Sequence, residues 1–115
     1  MIDVDVWVRG RLDALTDFIT GVPDDATTWT DADVRTLLEQ MLLALERAKN
    51  PGGQAPTVSL RGFSWIVSPD RSGVLVHLEM QMGTASAGPF AIDETTLTSM
   101  IARVMNGPKE SALVH

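Results

Sequence analysis

Apolar residues recur along these 115 residues in two rhythms. Spacings of three and four wind onto one side of a helix, and strict alternation marks one face of a strand. Three stretches carry the helical spacing and open on the same local signal. An apolar residue is followed by a short oxygen-bearing side chain, with a second apolar residue four positions beyond it. The signals are Ile2-Asp3 before Trp7, Trp29-Thr30 before Val34, and Ile92-Asp93 before Leu97. Such an oxygen can accept from a free N–H of the first turn, and the two apolar side chains can clasp across it.

The first helix is predicted over Val4 to Thr20, with Val4, Trp7, Val8, Leu12, Leu15, Phe18 and Ile19 on its stripe and Gly21 and Pro23 ending it. Residues 2–8 also alternate as a strand would, but the helical spacing accounts for more positions and is preferred. A second helix is predicted over Asp31 to Lys49, with Thr30 and Asp33 as a capping box and Asn50-Pro51-Gly52-Gly53 as the stop. A third runs from Glu94 to Met105, ended by Asn106-Gly107-Pro108. This leaves one domain over 1–108 and a flexible tail over 109–115.

Alternation dominates residues 57–83. Val74, Val76, Leu78, Met80 and Met82 share one face, while Leu75, His77, Glu79 and Gln81 take the other. The preceding strand changes phase between Leu60 and Phe63, and a β-bulge at Arg61-Gly62 would repair it. If residues 68–73 form the loop, Val67 faces Val74, Trp65 faces Val76 and Phe63 faces Leu78. Leu60 and Val58 then face Met80 and Met82. The polar face collects Arg61, Ser64, His77, Glu79 and Gln81, with Ser64 opposite His77. Residues 84–91 are small and irregular, with room for a short third strand at Phe90-Ala91. The expected fold is α+β in the order α-α-β-β-α, with the helices on one face of a long hairpin. Its edges would be open, which favours a homodimer paired through the sheet.

The net charge of −6 sharpens this picture because it is uneven. Residues 1–33 hold eight Asp and two Arg, whereas residues 34–115 hold seven acids and seven bases. Some of these Asp suit helix starts. The others, Asp5, Asp13, Asp17, Asp24 and Asp25, are candidates for an acidic surface that steers a basic protein partner. Nucleic acid is not an expected partner, because phosphates require positive charge. No apolar run approaches the roughly 20 residues that span a bilayer, so no membrane association is expected. The first residues lack a basic and an apolar leader region, which makes cytoplasm the default.

Candidate chemistry is sparse. There is no cysteine, so disulfides, thiolate metal sites and thiol nucleophiles are excluded. The paired Asp residues do not have calcium-loop spacing, and no phosphate-binding Gly-rich loop precedes a helix. No catalytic residue, metal or cofactor is expected. His77 with Glu79, Arg61 and Ser64 could in principle do acid–base work, but a solvated sheet face with a cross-strand ion pair is the preferred explanation. The reading is a small, acidic, non-enzymatic protein–protein interaction module of the inhibitor, immunity or adaptor kind, self-associating through the sheet. The alternatives are a structural subunit of a larger assembly, or a small-molecule binder using the polar face or a dimer cleft.

Overall fold

The computed structural model describes residues 2–50, 52 and 60–113, the last seven as backbone only. The strands are β1 (Ile2–Val8), β2 (Leu15–Ile19), β3 (Ser64–Asp70), β4 (Gly73–Met80) and β5 (Gly83–Phe90). The helices are α1 (Asp31–Lys49) and α2 (Glu94–Leu113), and a 3-10 turn spans Ala26–Thr28. The chain order is therefore β-β-α-β-β-β-α. The strands form one antiparallel sheet in the order β2-β1-β5-β4-β3. α1 lies over β1, β2 and β5, and α2 lies over β3 and against α1. Ile2, Val4, Val6, Val76, Leu78, Ala85 and Ala87 from the sheet join Leu37, Leu38, Met41, Leu45, Leu97 and Ile101 from the helices in one core.

The N-terminal helix predicted over Val4 to Thr20 is instead the β1–β2 hairpin, which overturns the α-α-β-β-α order. Ile2, Val4, Val6 and Val8 are β-branched and spaced by two. They suit a pleated surface and lose side-chain freedom in a helix. Val4 and Val6 are fully buried, while Asp3 and Trp7 point the other way. Leu12, placed on the helical stripe, is 99% exposed in the hairpin loop. Gly10 adopts a left-handed φ of 92° there, which glycine accommodates without a Cβ clash.

α1 forms where its signal predicts. The Thr30 hydroxyl accepts from Asp33 N at 3.3 Å, and the Asp33 carboxylate accepts from Thr30 N at 2.9 Å, completing the capping box. Trp29 and Val34 are both buried across this first turn. Trp29 meets Phe90 edge-on at 4.8 Å and donates its indole N–H to Pro23 O at 2.7 Å. α2 also starts as predicted, with the Asp93 carboxylate accepting from Thr96 N at 3.0 Å. It continues to Leu113, beyond the stop predicted at Asn106-Gly107-Pro108.

The β3–β4 hairpin exists, but its register lies two residues from the predicted one. Only Arg71 and Ser72 separate the paired residues Asp70 and Gly73. Val67 consequently faces Val76, Trp65 faces Leu78, Ile66 faces His77 and Ser64 faces Glu79. Ser68 and Pro69, read as loop, belong to β3. Proline is tolerated there because β3 is the last strand of the described sheet. The pairing ends at Ser64, so no bulge is formed at Arg61-Gly62. The irregularity in the sheet lies between β4 and β5, at Val74/Val76. The predicted pairing of Val58 lies outside the described residues.

Residues 83–90, expected to hold at most a short strand, form all of β5 at the centre of the sheet. Their small size suits this place: α1 packs over β5, where Ala85 and Ala87 are buried. β5 occupies one edge of β4 and brings β1 to its own other side. The two-stranded sheet with both edges open, from which the homodimer was expected, is therefore replaced by a five-stranded one.

Candidate functional site

Both helices cover the same face of the sheet, and among the described residues no element crosses the opposite face. The strand register fixes what that bare face presents. One row across the strands reads Thr16, Asp5, Ser86, His77 and Ile66. The next reads Trp7, Thr84, Glu79 and Ser64. On the other side of the central row stand the neighbours Phe18 and Asp3, with Leu75 and Ser68 paired on β4 and β3. The middle is polar and hydrogen-bonded. Thr16 Oγ1 donates to Asp5 Oδ1 at 2.8 Å, and Ser86 Oγ lies 2.9 Å from His77 Nδ1.

Around this polar row, large apolar side chains face outward. Ile66 is 59% exposed, Phe18 51% and Trp7 41%. They stand apart, Phe18 and Ile66 on the two edge strands and Trp7 towards the end of β1, so they frame the polar row and do not form one patch. The charge is one-sided. None of the nine Lys and Arg residues falls within any of the five strands, while the bare face carries Asp3, Asp5 and Glu79. Arg9 stands just past the end of β1, where its N–H donates to Met82 O at 2.8 Å. With Phe63, Ser64, Glu79 and Gln81 it borders a shallow groove of about 620 Å³ at that end of the strands. A second groove, of about 420 Å³, lies at the other end against Asp3, Asp24 and Pro89.

The five acidic residues proposed for one surface are dispersed. Asp5 lies on the bare face and Asp13 in the β1–β2 loop. Asp17 points to the helical side, where Arg47 Nη2 donates to it at 2.8 Å. Asp25 accepts from Thr27 N at 3.0 Å and caps the 3-10 turn, and Asp24 precedes it. Of the five residues expected on a polar sheet face, His77, Glu79 and Ser64 do share the bare face, with Glu79 rather than His77 opposite Ser64. Arg61 precedes β3, and Gln81 sits in the β4–β5 turn. The contributions of β1, β2 and β5 escaped sequence reasoning, although alternation of Asp3, Asp5 and Trp7 against Ile2, Val4 and Val6 was the available signal.

The Ser86–His77 contact has the elements of a nucleophile and a base, but the third group is on the wrong side. Asp5 adjoins Ser86 on β1, so the serine lies between the carboxylate and the imidazole. An orienting carboxylate has to hold the far nitrogen of the imidazole. Among the described residues no three His, Asp or Glu side chains are grouped to hold a metal ion. No helix is long and apolar enough to cross a membrane among the described residues. No protein-family model matches the chain, and no curated protein and no solved structure matches it either.

Proposed function

We propose that this protein is a non-enzymatic interaction module whose bare sheet face binds a polypeptide presenting cationic and apolar side chains together. One observation carries the reading: five strands without Lys or Arg expose Trp7, Phe18 and Ile66 among Asp3, Asp5 and Glu79. Apolar contact would supply affinity, and the carboxylates would select for positive charge and speed encounter. Direct stacking of two such faces would set like charges against each other, so a partner with a different surface is favoured over face-to-face pairing.

A short alternating Lys–Leu peptide is the test probe, with a Glu–Leu peptide as control, followed by fluorescence anisotropy at low and high salt. The Lys–Leu peptide is expected to bind, to weaken with salt, and to weaken further in the Asp5→Asn/Glu79→Gln variant. Equal binding of the Glu–Leu peptide, or binding indifferent to salt and to both substitutions, would overturn the proposal.

A further inference from the structure

The chain itself contains a segment with the chemistry that the bare face selects. Residues 9–14 join β1 to β2, and all six are exposed. They read Arg9-Gly10-Arg11-Leu12-Asp13-Ala14, two arginines against one aspartate, so the loop is net cationic. Leu12 is the most exposed large apolar side chain of the described residues, at 99%. The side chain of Arg11 forms no ion pair among the described residues, and its backbone N–H closes the turn onto Val8 O at 3.0 Å. The pairing of β1 with β2 ends at Val6–Leu15, and that with β5 ends at Val8–Gly83. The loop therefore projects past the end of the sheet, with Leu12 standing off its own bare face.

We propose that the bare face of one copy receives the β1–β2 loop of a second copy. Leu12 is placed beside the exposed Phe18, and Arg11 against Asp3 and Asp5. Phe18 and Asp3 are register partners, and Asp5 follows two residues along β1 on the same face, so one apolar and one cationic side chain from a single loop meet adjoining groups. Complementary charge carries this choice of occupant. The loop brings arginine to a face whose strands have none, whereas stacked faces would oppose carboxylates. The contact joins two different surfaces and so confers a direction: repeated, it extends an assembly, and made reciprocally, it closes a dimer. This inference rests on the preceding reading of the face, and adds that the occupant is this chain.

The test is sedimentation velocity of the full chain over a range of concentrations, at low and high salt. The wild type is expected to self-associate, less so in high salt. The loop variant Arg11→Glu/Leu12→Asp and the face variant Asp3→Lys/Asp5→Lys are each expected to dimerise about tenfold more weakly or not at all. Thermal melts establish that each variant is folded, and Asp3→Lys alone is a milder face variant that spares the Asp5–Thr16 bond. Mixing gives the decisive result. The loop variant retains an intact face and the face variant retains an intact loop, so together they should form a one-to-one complex that neither forms alone. A wild type that stays monomeric, variants that associate like the wild type, or a mixture without a complex would each overturn the inference. Lys–Leu peptide binding to the loop variant separates the two proposals. If the peptide binds while the wild type stays monomeric, the face reading survives and only the second-copy occupant falls. If the peptide also fails, the face reading falls with it.

Discussion

Ser86 Oγ and His77 Nδ1 lie 2.9 Å apart, joining β5 to β4 in the middle of the bare face. With Nδ1 unprotonated, the serine hydroxyl donates to it. The charged groups around it are Glu79 on β4 and Asp5 on β1, while β3 offers Ile66 opposite. A lysine at this position would set a cation between Asp5 and Glu79, so binding of the Lys–Leu peptide should weaken several-fold in His77→Lys. His77→Gln, which adds no charge, should leave the affinity close to that of the wild type. Anisotropy titrations decide it, and a His77→Lys protein with wild-type affinity would remove the centre of the face from the account.

Asp17 and Arg47 link β2 to α1 through Nε and Nη2, both donating to Oδ2, at 3.1 and 2.8 Å. Partial burial opposes ionisation of Asp17. The hydrogen bonds from Arg47 and from the Phe18 N–H, with the guanidinium charge, outweigh it and hold the carboxyl below its ordinary value. A depressed carboxyl stabilises the fold above its unfolded value, and that contribution is lost as pH falls through the folded value. Both side chains are more than a third exposed, so solvent screens the pair. Asp17→Asn should cost at most about 1 kcal/mol at neutral pH, and the difference should shrink below about pH 4. Urea denaturation at neutral and acidic pH measures both values.

Two glycines should respond differently to a side chain. A Cβ on Gly83 would collide with the backbone of Trp7 and Val8 on the neighbouring strand, so strand spacing itself would have to change. Gly62 has a left-handed φ of 80°, and among the described residues nothing lies in contact with a Cβ added there. Gly62→Val should cost about 1 kcal/mol through backbone strain, and Gly83→Ala more than about 2 kcal/mol. A Gly83→Ala protein with an unchanged denaturation midpoint would contradict the close approach of β5 to β1.

Ala85 is fully buried on β5, the strand that α1 packs against, so a larger side chain there would have to displace its neighbours. Ala85→Leu should destabilise by about 1–3 kcal/mol despite its greater apolar area. Leu78→Ala, in the adjoining position on β4, should cost about 2–5 kcal/mol by leaving a cavity. Losses of opposite steric origin at paired positions, read from the same denaturation curves, would show that this layer is filled to its limit.

The parts of the fold legible in the sequence are those fixed by short-range chemistry. Thr30 and Asp33 satisfy each other's backbone within one turn, so α1 could be placed to the residue. The β3–β4 hairpin was visible through its alternation, but its register depends on turn length. Arg71-Ser72 lacks the Asn-Gly signature that announces a two-residue turn, and Pro69 disguised a strand as a loop. β5 was hidden because a central strand beneath a helix needs small residues, and Gly-Thr-Ala-Ser-Ala-Gly reads as a linker. At the N-terminus Leu12 and Leu15 tipped the periodicity towards a helix. The candidate site was half legible for the same reason. His77, Glu79 and Ser64 came from the recognised hairpin, while Asp3, Asp5, Trp7, Phe18 and Ser86 came from strands that were not recognised.

The pairing of β1 with β5 also sets a timetable. Val4 finds Ala87 only after α1, β3 and β4 have been made, so during synthesis the first hairpin waits for a strand that emerges much later. Through that interval Val4 and Val6 have α1 alone to pack against, and the unpaired edge of β1 is exposed to misassembly with other newborn chains. A slow final zippering of β1 onto a preformed β5–β4–β3 sheet would be the kinetic signature of this topology.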